Sequence, residues 1–310
     1  MFEMWALVGL VLAGASVISN DAVQTLGTFM ASNKKTPWWK LWGAASVVLV
    51  STVLYSWFAY DGDISFGRLD KIPHIQVEWH HALAPAVLLV LTRFGIPVST
   101  TFLVLSAFAS TIIFEKMLVK SIFGYAIAAV VAYGFWMALS KFLDEKKKVS
   151  SNHEKYWRVA QWCTTGLLWL TWLSHDLANI AVFAPRQMSP EFLTGTIIML
   201  VAMLGFTFYE RGGKIQQIVI EKTTTSYVRS ATIIDGVYAF ILLYLKQMNN
   251  IPMSTTWVFV GLLCGRELAI ATRKNKKIKK VFPIVLKDFM KIMMGLCISV
   301  VLVLIVQAMS

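Results

Sequence analysis

The sequence predicts an all-α polytopic membrane protein made of two inverted-topology repeats, and three observations lead there. The chain of 310 residues is 57% hydrophobic and 15% charged, where a soluble domain carries about 25% charged residues. Unusual polar motifs recur along it at one constant offset. Its basic residues gather in loops that alternate along the chain, as they do when one face of a membrane is cytoplasmic.

The first observation sets the solvent. Mean hydropathy is +0.62. Apolar stretches near 4–19, 41–60, 121–140, 158–174, 193–209 and 289–308 are each long enough to cross a hydrocarbon core of roughly 30 Å as a helix. Trp38, Trp39, Trp57 and Trp79 stand at segment ends, where amphipathic rings suit the headgroup layer. Cys163, Cys264 and Cys297 lie inside apolar segments without metal-ligand spacing and read as small core side chains. The first twenty residues carry Glu3 and no Lys or Arg. A secretory signal needs positive charge there, so the segment reads as the first membrane helix.

The repeat is the second observation. Ser19 and Asp21 match Ser174 and Asp176 at an offset of 155 residues, and Ile96–Thr101 (Ile-Pro-Val-Ser-Thr-Thr) matches Ile251–Thr256 (Ile-Pro-Met-Ser-Thr-Thr) at the same offset. Two motifs in one register point to duplication, with halves 1–155 and 156–310. Each half has a helix interrupted at the Asp motif, a plain helix, an Ile-Pro-x-Ser-Thr-Thr region between apolar stretches, and a final helix. The stretches 79–94 and 97–113 are two short spans or one re-entrant hairpin, and length leaves both open. Either count is odd, so the second half enters the membrane inverted, as in many secondary transporters.

Charge agrees. With the N-terminus outside, loops 32–40, 141–158, 210–229 and 271–287 are cytoplasmic and carry +3, +3, +2 and +7, or +15 together. The outer loops 61–78, 114–120 and 186–193 carry −2, +1 and 0. Both termini are therefore expected outside the plasma membrane. The run Arg273, Lys274, Lys276, Lys277, Lys279 and Lys280 reads as a topology determinant beside anionic lipid, not as a nucleic-acid surface.

The chemistry centres on the two acids. Asp21 stands with Ser19, Asn20, Gln24, Thr25 and Thr28, and Asp176 with Ser174, His175 and Asn179. A carboxyl inside hydrocarbon is costly unless paired, protonated or hydrated, which makes it a functional candidate; a role in interhelical bonding is the plainer alternative. Pro97 and Pro252 suit the first position of a helix, with Ser99, Thr100, Thr101 and Ser254, Thr255, Thr256 in the first turn. Free N–H groups and hydroxyls there suit an anion, although a Ser/Thr that merely caps a helix has the same pattern. If both regions are re-entrant, their tips meet near the midplane.

These residues resemble the inorganic phosphate transporter (PiT) family. Asn20, Asp21, Gly27 and Thr28 fit its first signature, G-A-N-D-x-A-N-x-x-G-T. Gly95, Pro97, Ser99, Thr100 and Thr101 fit its hairpin signature, G-x-P-x-S-T-T-H, as do Pro252, Ser254, Thr255 and Thr256. Ser174, His175, Asp176, Ala178 and Asn179 fit the second-half motif S-H-G-A-N-D-x-A-N without its Gly-Ala-Asn. Ile18 and Ser19 replace Gly-Ala, Gln24 replaces the second Asn, and Phe102 and Trp257 replace the histidines. The resemblance implies a divergent, ion-coupled phosphate symporter.

Read together, these features give an expected substrate site of Ser99, Thr100, Thr101, Ser254, Thr255, Thr256, Asp21 and Asp176. The expected coupling-ion set is Asn20, Asp21, Gln24, Thr28, His175, Asp176 and Asn179, taking Na+ or H+, with no other cofactor or metal. The expected partners are inorganic phosphate or a similar oxyanion, the lipid bilayer and, as an open option, a second copy of the chain. Sulfate permeation and an intramembrane enzyme using the two acids are the alternatives; an enzyme is disfavoured because no further catalytic signature accompanies them. Arg93 reads as snorkelling or anion-contacting, His80 and His81 as interfacial, Asp235 as a lesser candidate, and Arg266 with Glu267 as a mutually neutralising pair.

Overall fold

The computed structural model describes residues 4–94, 98–139, 151–212, 227–248, 250–273 and 282–309. Among them every regular element is helical. Gly95, Pro97, the loop 141–150 and Lys274, Lys276, Lys277, Lys279 and Lys280 lie outside the described residues, as does the side chain of Arg93.

Helix α1 (Met4–Ser16) passes through a π-helical turn, Val17–Asp21, into α2 (Ala22–Ser32). The predicted interruption is thus a widened turn inside one continuous 29-residue span. Such a turn inserts one extra residue into the helical ladder and is common at functional positions. Helix α3 (Trp38–Ala59) returns, and a structured loop leads to a short 3₁₀ turn (Trp79–Ala82) and α4 (Leu83–Arg93). After the first Ser-Thr-Thr segment come α5 (Thr100–Val104), a second 3₁₀ turn (Leu105–Ala107) and α6 (Thr111–Leu139). The remaining elements are α7 (Ser151–Asp176), the one-turn α8 (Ala178–Ala181), α9 (Pro190–Tyr209), α10 (Val228–Met248), α11 (Thr255–Arg273) and α12 (Phe282–Met309).

Six segments among the described residues are long and apolar enough to cross a membrane: Met4–Ser32, Trp38–Ala59, Thr111–Leu139, Pro190–Tyr209, Val228–Met248 and Phe289–Val306. The predicted stretch 158–174 is not among them, and 228–248 takes its place. The reason is packing: α7 spends its length on Gln161, Thr165, Thr171 and Ser174, all buried. This polar face is turned into the bundle, where it need not be apolar, while Val159, Trp162, Leu167 and Leu170 are exposed on the other side of the helix.

Two parallel pairings organise the interior. Along α7 and α10, Trp157 meets Thr232, Thr165 meets Asp235 and His175 meets Leu242 in rising order. Along α6 and α11, Ser121 meets Ser254, and Gly261 and Gly265 lie on the carbonyl oxygens of Tyr125 and Ala129, where a β-carbon would collide. This small-x-x-x-small spacing lets two helix backbones touch, the usual device where lipid removes the hydrophobic driving force.

The loops sort onto two faces. On one, Arg158 donates to the Ser32 carbonyl at 2.7 Å, Asn33 to Gln161 at 3.0 Å and Arg211 to the Lys34 carbonyl at 3.2 Å. On the other, Met188 N donates to the Gly62 carbonyl at 3.0 Å, and Arg186 to the carbonyls of Leu69 and Ile72, both at 3.1 Å. Residues 32–40, 151–158 and 210–212 therefore share one face, and 61–78 shares the opposite face with 186–188, the grouping that loop charge predicts. Cys264 is buried as expected, but Cys163 and Cys297 are exposed on the helix surface.

Candidate functional site

The π-turn of α1–α2 carries Asn20 and Asp21 into the centre of the bundle, where both are buried. Asn20 Nδ2 donates to Asp21 Oδ1 at 2.8 Å and to the Val98 carbonyl at 3.0 Å, and Gln24 Nε2 reaches Asp21 Oδ1 at 3.4 Å. The Thr100 hydroxyl donates to Asp21 Oδ2. From the opposite half of the chain, the Thr256 hydroxyl lies beside the Asp21 carboxyl. One acid thus faces hydroxyls of both Ser-Thr-Thr segments.

Asp176 ends α7 and is equally buried. Asn179 Nδ2 donates to its Oδ1 at 2.9 Å, the Thr255 hydroxyl lies beside the carboxyl, and Asp21 is near enough to interact with it electrostatically. The two Ser-Thr-Thr segments also touch directly. Thr101 Oγ1 donates to the Met253 carbonyl at 3.0 Å, and the rings of Phe102 and Trp257 meet edge to face at 5.5 Å. The tips of the two regions therefore meet.

Local structure corrects the expected role of proline. Helix α11 begins at Thr255, so Pro252 precedes the helix and does not open it. Ser99 and Ser254 are the capping residues: their hydroxyl oxygens accept from Phe102 N at 3.3 Å and Trp257 N at 3.2 Å. This is the ordinary N-cap role. It leaves Thr100, Thr101, Thr255 and Thr256 as the hydroxyls turned toward the acids and the facing segment.

Two members of the expected ion set lie elsewhere. Thr28, two turns beyond Asp21, donates to Asp235 Oδ1 at 2.6 Å, and Thr165 donates to Asp235 Oδ2 at 2.5 Å. His175 points away from its sequence neighbour Asp176, with Nε2 on the Leu242 carbonyl at 3.0 Å. In a helix adjacent residues face different directions, which sequence proximity conceals. His80 and His81 are buried within the protein, and the His81 ring stacks on Phe108 at 4.8 Å. Arg266 and Glu267 form the expected pair at 3.1 Å. Among the described residues no group of three or more His, Cys, Asp or Glu side chains could hold a metal ion.

Sequence reasoning missed Arg68, Lys120 and Tyr238. Tyr238 donates to the Thr255 carbonyl at 2.9 Å and lies beside both acids. Arg68 comes from the loop between α3 and α4 and is 1% exposed. Its Nε donates to the Ser174 carbonyl at 2.7 Å and Nη1 to the Ile251 carbonyl at 3.4 Å. Burial pulls its pKa down to about 10 against the favourable charge of Asp176, so it stays cationic at neutral pH. Lys120 Nζ donates to the same Ile251 oxygen at 2.8 Å.

The architecture is an all-helical polytopic membrane fold with buried acids where two Ser-Thr-Thr segments meet. More particularly, the chain superposes on a solved structure described as the sodium-dependent phosphate transporter, with a TM-score of 0.61 at 17% sequence identity, over 96% of this chain and 95% of that one. At that identity the likeness is one of fold. No protein-family model matches the chain, and no curated protein matches it by sequence.

Proposed function

We propose that this chain is a secondary transporter of inorganic phosphate, a divergent member of the inorganic phosphate transporter family, driven by a sodium or proton gradient through alternating access. The observation that carries the reading is the meeting of Thr100 and Thr256, one from each Ser-Thr-Thr segment, on the single carboxyl of Asp21. A site assembled from two separate segments can be opened from either side by moving one of them, which is what alternating access requires. The likeness to a sodium-dependent phosphate transporter supports the same reading.

In this account Thr100, Thr101, Thr255 and Thr256 supply hydroxyl donors to the oxyanion, while Ser99 and Ser254 fix the helix starts. The coupling cation belongs to the acids. Asn20 Oδ1, Asn179 Oδ1 and Asp176 Oδ2 are buried acceptor oxygens that meet no donor among the described residues. Buried oxygens are rarely left so, since each costs about 1–3 kcal/mol, and a hard cation would satisfy them. Such a cation also offsets the repulsion between the carboxylates and an anion. The halves 1–155 and 156–310 are then the two inverted repeats, with the positively charged loops cytoplasmic and both termini outside the plasma membrane.

The test is uptake of radiolabelled phosphate into proteoliposomes holding the purified protein, with sulfate as competitor. The account expects accumulation of phosphate and weak inhibition by sulfate. Equal or better uptake of sulfate would make the chain a sulfate permease of the same fold, and no uptake of either would end the transport reading.

A further inference from the structure

The loop between α3 and α4 is more than a connection. Ile64, Ser65, Phe66, Arg68 and Leu69 are all buried, although the segment joins two membrane helices. Asp63 is its staple: Oδ1 accepts from Ser65 N at 2.7 Å, and Oδ2 from Ser65 Oγ at 2.5 Å and Gly67 N at 3.0 Å. Ser56, on α3, donates to the Asp63 carbonyl at 2.9 Å and accepts from Phe66 N at 3.1 Å. Phe66 and Gly67 take left-handed backbone conformations, φ 60° and 69°. That conformation is costly for phenylalanine and persists only where the surroundings impose it. Its effect here is to drive Arg68 inward.

Arg68 arrives in a place short of acceptors. Its Nε and Nη1 use the carbonyls of Ser174 and Ile251, while Nη2 is buried and meets no acceptor among the described residues. Lys120 donates to the same Ile251 oxygen, so two basic side chains converge on one carbonyl. Lys246, over the Phe66 ring at 4.3 Å, and Lys71 add further positive charge nearby. The carboxylate facing Arg68 is Asp176, which the proposed function already engages with a cation. A buried guanidinium N–H that meets no acceptor is costly, and Nη2 of Arg68 is so placed among the described residues.

We propose that Arg68 and Lys120 form an oxyanion subsite at the tip of the second Ser-Thr-Thr region, where a phosphate-class dianion is recognised by charge beside the hydroxyl-lined site. Arginine suits the task because its fork presents two N–H groups to neighbouring oxygens of one tetrahedral anion. The inference rests on the oxyanion-transport reading and deepens it: the hydroxyls orient the anion, and Arg68 with Lys120 selects for its charge.

The test compares wild type with R68Q, R68K and K120Q in proteoliposomes. Each is read by phosphate uptake over a range of concentrations, and by the rise in melting temperature that phosphate gives the detergent-solubilised protein. Loss of one charge-assisted contact should raise KM about tenfold or more, with kcat changed less than about threefold. R68K should recover part of the affinity, and the phosphate-induced thermal shift should shrink in R68Q and K120Q. If R68Q fails to insert, R68K and K120Q carry the comparison. Uptake with wild-type KM and only a lowered kcat would overturn the subsite and leave transport standing. A phosphate-induced shift that depends on Arg68 and Lys120, without uptake, would keep the subsite and overturn transport. No shift in wild type with phosphate or sulfate, and no uptake, would overturn both.

Discussion

Thr101 and Met253 stand 152 residues apart in the chain, yet the hydroxyl of one donates to the backbone carbonyl of the other at 3.0 Å. One hydrogen bond of this kind contributes about 1 kcal/mol, so it joins the two Ser-Thr-Thr segments without locking them. Their aromatic neighbours Phe102 and Trp257 close the same junction.

Locking that junction should therefore stop turnover. In a background with Cys163, Cys264 and Cys297 replaced by Ala, a Phe102→Cys and Trp257→Cys pair joined by a short bifunctional thiol reagent should lose nearly all uptake. Each single variant treated in the same way should retain its own untreated rate. Full activity in the cross-linked pair would mean that the two segments need not separate during the cycle.

The second prediction concerns Asp235. Because Thr28 and Thr165 both donate to it, the three should behave as one unit in a double-mutant cycle. Thr28→Val with Asp235→Asn should show a coupling energy of about 0.5–3 kcal/mol in stability, the range for residues in one hydrogen-bond network. Thr28→Val with Asp21→Asn should be additive within about 0.5 kcal/mol. The reverse pattern would return Thr28 to the Asp21 cluster.

Helix α11 supplies the third. Alanine at Gly265 would press its methyl against the Ala129 carbonyl, and at Gly261 against that of Tyr125. Overpacking of this kind costs roughly 1–3 kcal/mol. Either Gly→Ala variant should lower the melting temperature of the solubilised protein, whereas Gly43→Ala, where no atom lies near, should leave it unchanged. Equal melting temperatures throughout would show that α6 and α11 do not pack through these glycines.

Orientation gives the fourth. Gln187 and Lys35 are exposed on opposite faces. In intact cells a membrane-impermeant thiol reagent should label Gln187→Cys and spare Lys35→Cys. Labelling of Lys35→Cys alone would turn the whole arrangement over.

Much of this was legible in the sequence because membrane folds leave strong signals. Asp21 and the Ser-Thr-Thr segments stood out as polar residues in apolar surroundings, and the common offset paired them across the chain. Asp235 and Thr28 were visible separately, but their contact spans 207 residues and follows no local period. Arg68 was hidden for another reason: it sits in a polar loop of net charge −2, where an arginine ordinarily faces water. Only the fold of that loop, held by Asp63 and Ser56, turns it inward. The glycine contact of α11 was written as Gly261-x-x-x-Gly265, but composition alone does not say which helix it meets.

The central claim is that the paired acids couple cation movement to anion uptake, and it is tested most directly by gradient-driven phosphate uptake in proteoliposomes bearing wild type, Asp21→Asn or Asp176→Asn. Each variant is first checked for normal membrane insertion. Asparagine keeps the size of the side chain and removes the charge that would bind a cation. Wild type should accumulate phosphate only under an inward sodium or proton gradient, and Asp21→Asn should lose that accumulation by about tenfold or more, the scale of a lost charge-assisted contact. Wild-type, gradient-driven accumulation in both variants would contradict the account, because the acids at the meeting of the two Ser-Thr-Thr segments would then be structural.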